Sequence, residues 1–200
     1  MKGLNFFILY LFTSCLIWEA QAQWAPNVNV IVTENNVKTT TEGKLEDGKV
    51  IELSWGHHSA NNCFPASAKE NFRGKHVVYA TYLPARGTVT ITLTPTSDTT
   101  KMSLYAYLVG ANNFTSIVPN VHSCIVCKAD YGMPTKPQKK PNTKAEKPVK
   151  VQVAPAAVGN TRKIELKGVG NQAYHVMIGV AGVGELGVTG AYTLEVLTVN

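Results

Sequence analysis

Between Gly87 and Gly110 the chain reads GTVTITLTPTSDTTKMSLYAYLVG, and its apolar residues recur at every second position. Val89, Ile91 and Leu93 alternate with Thr88, Thr90, Thr92 and Thr94. Strand side chains point to opposite faces in turn, so this run predicts a half-buried strand. After a turn-rich segment, 95–101, the pattern resumes with Met102, Leu104, Ala106 and Leu108 on one side and Ser103, Tyr105, Tyr107 and Val109 on the other. A hairpin alone is marginal in water, so the rest of the chain must supply a facing sheet.

Similar short runs supply it. Val28, Val30 and Val32 alternate within residues 23–44, which predict an N-terminal arm or an edge strand. From Val50 through Leu53 and Trp55 the pattern predicts a first core strand, and residues 56–73 a long aperiodic loop. Val77 to Leu83, a short piece within 122–131, Ile164 with Leu166, Tyr174 to Val180 and Tyr192 to Val196 complete the set. Apolar residues spaced by two in short blocks predict an all-β chain, a jelly-roll-like β-sandwich of about eight antiparallel strands over residues 45–200.

The first 22 residues read as an export signal. Lys2 precedes an apolar run from Leu4 to Ile17, and Ala20-Gln21-Ala22 is a small-x-small cleavage pattern. Removing them leaves 178 of the 200 residues, enough for one large domain. The expected location is therefore secreted or periplasmic, the alternative being a lipid anchor on Cys15.

The formal net charge of +6 suggests nucleic acid until its position is noted. Six lysines and one acid, Glu146, fall between Lys136 and Lys150, so this segment carries +5 of the total. The remainder is nearly neutral, without the basic, aromatic-interleaved face that nucleic-acid binding requires. With its prolines and no apolar period, residues 132–150 are expected to be a mobile basic loop inserted in the sandwich. Lys136, Lys139, Lys140, Lys144 and Lys147 are then candidates for attachment to a polyanion or cell surface.

The order KHVVYATYLPARGTVTITLTP, KMSLYAYLVG, NQAYHVMIGVAG and GAYTLEV, within Val50 to Val196, resembles the bacterial pre-peptidase C-terminal domain. The resemblance implies an eight-stranded sandwich of secreted bacterial proteins, found beside peptidases and related in fold to collagen-binding modules. Three features depart from that pattern. These 200 residues hold no peptidase domain, Lys101-Met102-Ser103-Leu104-Tyr105 stands where the family has Asp-x-Asp-Leu-Tyr, and the Lys/Pro segment is inserted. Calcium needs about 6 to 8 oxygen ligands, and the missing acids argue against carrying that property over.

Cys63, Cys124 and Cys127 remain after the signal, and export makes a disulfide their expected state. In an extended strand Cys124 and Cys127 lie roughly 10 Å apart on opposite faces, beyond disulfide reach, so the expected bridge joins Cys63 to one of them. The spacing His122-x-Cys124-x-x-Cys127 also fits a zinc knuckle, with Cys63 or His57-His58 completing it. A cysteine–histidine hydrolase or redox centre is a third reading, although no His-Glu-x-x-His or Gly-x-Ser-x-Gly occurs. Gly182-Val183-Gly184-Glu185-Leu186-Gly187 matches a dinucleotide fingerprint in letters, but a strand rather than a helix follows it. Tyr105 and Tyr107 share one side of their strand and offer either a contact patch or a surface covered by a neighbour. Together these expectations describe a secreted, non-catalytic binding or accessory module, without cofactor, membrane span or nucleic acid, whose partner is an extracellular protein or polysaccharide.

Overall fold

A computed structural model describes residues 24–52, 70–121, 124–131, 160–184 and 186–200. Among these, ten strands form two sheets. The strands are β1 (Val28–Val30), β2 (Lys38–Lys44), β3 (Lys49–Val50), β4 (Lys75–Leu83) and β5 (Thr88–Pro95). They continue with β6 (Met102–Gly110), β7 (Cys127–Asp130), β8 (Arg162–Lys167), β9 (Tyr174–Gly182) and β10 (Ala191–Val199). The first sheet runs β1-β4-β9-β6-β7 with β3 added on β4, and the second runs β2-β10-β5-β8. All pairings are antiparallel except β1 on β4. No helix among the described residues is long and apolar enough to cross a membrane.

The alternating strands build the layer between the sheets. In the second sheet Ile91 pairs with Val196 and Ile164, and all three are fully buried while the intervening threonines, glutamates and lysines look outward. Leu104, Leu108, Val176 and Val180 meet them from the first sheet. Tyr79 of β4 and Tyr192 of β10 cross this layer with their hydroxyls 2.8 Å apart. A Cβ on Gly43 of β2 would fall 2.5 Å from the Tyr79 hydroxyl and 2.6 Å from the Tyr192 ring, so a residue without a side chain fits beside the pair.

The first sheet is buried on its other face too. Val78, Tyr105, Tyr107, Val109 and Met177 form a second apolar layer under Trp24, Phe72, Ile117 and Val118, which lie outside the strands. Sheets covered on both faces read as nearly continuous apolar runs, as β4, β6 and β9 do here. The tyrosine of β6 needs room, and β9 gives it: Tyr105 pairs with Gly179, where a Cβ would sit 1.8 Å from the ring.

Two expectations change. The count is ten rather than about eight strands because residues 28–44 contribute one edge strand to each sheet, β1 and β2. The core strand expected from Val50 is, within the described residues, only the two-residue β3, with Val50 49% exposed. The buried apolar residue of that stretch is instead Leu45, in a single 3-10 turn.

Candidate functional site

The edge of β4 is where polar chemistry gathers. β3 pairs with Lys75 and His76, β1 pairs with Val78 to Ala80, and the two short strands meet end to end opposite Val77. Gly48 lets the chain approach at this junction, since a Cβ there would lie 2.4 Å from the His76 carbonyl oxygen. Beside the junction opens a cleft of about 350 Å³, walled by Val77, Val78, Val118 and Pro119 and bearing Asn27, Asp47, Lys49 and Glu52. The Val118–Pro119 peptide in its wall is cis. Among the described residues the side chains of these four polar residues make no hydrogen bond or ion pair, so their donors and acceptors stay available.

An aromatic cluster lies farther along β4, at the Tyr82–His175 pair four residues from Val78. Trp24, three residues before Asn27, packs edge-on at 4.9 Å from both Phe114 and His175, and Phe114 lies 4.7 Å from His175. Tyr82, 51% exposed, flanks His175 at 6.3 Å. The hydrogen bond from Val28 to the Ala25 carbonyl turns the chain from this cluster into β1. Asn113 folds the opposite wall, its Oδ1 accepting from the amides of Thr115 at 3.1 Å and Ser116 at 2.9 Å. That turn places Phe114 in the cluster and, four residues on, Val118 in the cleft wall. Burial lowers the basicity of His175, opposed by a hydrogen bond with the Asn113 backbone, and among the described residues its Nδ1 has no hydrogen-bond partner.

Behind the cleft His76 is 3% exposed and neutral, its pKa lowered by burial to about 4 against a raising bond to the Phe72 backbone. Phe72 has only a carbonyl to offer, so Nε2–H donates to it at 2.7 Å and Nδ1 accepts from the Tyr105 hydroxyl at 3.0 Å. The histidine thus ties a covering segment to the middle of the sheet.

The tyrosines of the expected contact patch are inside. Tyr105 is 0% and Tyr107 2% exposed, because the segments from 70 to 72 and 111 to 121 lie over their face of the sheet. Tyr107 donates its hydroxyl proton to the Ser116 carbonyl at 3.0 Å. This corrects the contact reading of that pair.

The cysteines also sit differently from an ideal strand. Leu108 donates its amide to Val126 and accepts from Ile125, so two residues oppose one, a β-bulge. The extra residue brings Cys124 and Cys127 to the same face, both in the second layer, whereas Val126 faces the core. Burial pushes the Cys124 thiol up to about 11. Cys63, His57, His58, His122 and the lysines Lys136, Lys139, Lys140, Lys144 and Lys147 lie outside the described residues. Among the described residues no three His, Cys, Asp or Glu side chains cluster around a point that could hold a metal ion.

No protein-family model matches the sequence, and no curated protein matches it either. Solved structures do. The pre-peptidase C-terminal domain of a collagenase from Bacillus anthracis matches over 84% of this chain and 93% of its own, at 12% identity and TM-score 0.36. CorA, a surface-associated copper-binding protein of Methylomicrobium album BG8, matches over 85% and 98%, at 10% identity and TM-score 0.44. PliG of Aeromonas hydrophila, a periplasmic inhibitor of g-type lysozyme, matches over 86% and 97%, at 8% identity and TM-score 0.35. The first is the kind of domain that the order of the sequence motifs resembles.

Proposed function

We propose that this chain is a secreted, non-catalytic binding module whose recognition surface is the edge of the first sheet. The observation that carries the reading is the cleft beside β1 and β3, where, among the described residues, carboxylates, a carboxamide and an ammonium stand without side-chain partners, with aromatic rings farther along β4. Binding sites place a few convergent polar groups among apolar walls in this way. The leader-like first 22 residues support export.

The alternative, a cysteine–histidine hydrolase, finds little support in the described groups. Thiolates are the nucleophiles, and burial keeps Cys124 protonated. His76 spends both ring nitrogens on holding the fold, and His175 is enclosed by rings. The disulfide reading favours Cys127, which has no thiol to titrate, as the partner of Cys63. Alkylation of protein exported from its native cell tests this. The module should leave one thiol that reacts only after unfolding, while a thiol that reacts rapidly in the native protein near neutral pH would reject it.

A further inference from the structure

We infer that the cleft and the aromatic cluster farther along β4 together bind a neutral glycan chain, an assignment that rests on the binding-module reading above. A sugar ring presents an apolar C–H face and a rim of hydroxyls, each both donor and acceptor. The aromatic side, Trp24 and Tyr82, offers rings to the first. The cleft offers the complement of the second: Asn27 donates and accepts, Asp47 and Glu52 accept, and Lys49 donates. Among the described residues the cleft sets two carboxylates against one ammonium, a balance that disfavours anionic polymers.

The two halves lie along one face of β4. Trp24 stands three residues from Asn27 across the Ala25–Val28 turn, whereas Tyr82 stands four to six residues along β4 from the cleft residues Val78 and His76, so the span is about 13 to 20 Å. That suits about three or four consecutive sugar units. A peptide added as a strand fits less well, because the sheet edge beside the cleft is broken into two stubs, β1 of three residues and β3 of two.

The test is titration calorimetry of the exported protein with hexasaccharides of β-1,4-linked glucose, β-1,4-linked N-acetylglucosamine and α-1,4-linked glucose, at low and high salt. Saturable, salt-insensitive binding to one of them is expected. Tyr82→Ser should weaken it about tenfold, as should Trp24→Ala and the pair Asn27→Ala with Glu52→Gln. Tyr82 is half exposed, so its variant keeps the fold even where Trp24→Ala does not. Absence of binding to all three sugars, or equal binding by every variant, overturns the assignment. Binding that high salt abolishes overturns it in favour of the lysine-rich segment. Release of new reducing ends would overturn the non-catalytic reading itself, whereas capture of an extracellular protein, lost in Tyr82→Ser without any sugar binding, would overturn only the glycan.

Discussion

The two buried layers of this sandwich are built by different rules. Between the sheets, strand meets strand, and the packing is aliphatic, with a tyrosine pair crossing it. On the outer face of the first sheet, strands meet irregular segments, and polar anchors hold the cover down: His76 to Phe72 and Tyr105, and Tyr107 to Ser116. The first layer is set by register, and the second depends on individual hydrogen bonds. The loop 111–121, which walls the cleft, therefore rests on the layer with fewer constraints.

Truncating equal-sized side chains in each layer probes the difference most strongly. Leu104→Ala, between the sheets, should cost about 4 kcal/mol in chemical denaturation, and Met177→Ala, under the cover, about 2 to 3 kcal/mol, because irregular chain collapses into a cavity more readily than a paired strand. Equal costs would erase the distinction.

Acid should act on the second layer first. His76 has its folded pKa lowered from 6.5 to about 4 by burial, so the unfolded chain binds the extra proton at higher pH than the native one. Its contribution is complete above pH 6.5 and is lost as pH falls toward 4, amounting to about 3 kcal/mol. Urea titrations across that window should show the slope in the wild type and not in His76→Gln.

The smallest effect is expected at Tyr107. Tyr107→Phe leaves the Ser116 carbonyl without its donor, costing about 1 to 2 kcal/mol. Amide exchange should quicken across 111–121 while β5 stays protected.

The alternating strands were legible because one of their faces meets water: the threonines of β5 and the charges of β8 mark the outer side directly. β6 was legible on only one side. Its Ser103, Tyr105, Tyr107 and Val109 look amphipathic, and nothing in their own order announces that segments near Phe72 and Ile117, without period, fold over them. The bulge at Ile125 and Val126 carries no turn residue, so the shared face of Cys124 and Cys127 could not be read from spacing. The cleft was hidden for a third reason. It arises where two stub strands abut on a third, a consequence of long-range pairing that short windows do not contain.

The placement of β1 and β2 has a consequence for how the amino end is treated. Only seven residues separate Val30 from Lys38, yet those strands belong to opposite sheets, so this short stretch clasps the margins of both. A chain begun at Leu45 would strip a flank from β4 and another from β10, baring two rows of backbone amides and carbonyls to any neighbour. Such a truncated form should self-associate along the bared strands more readily than the full chain does.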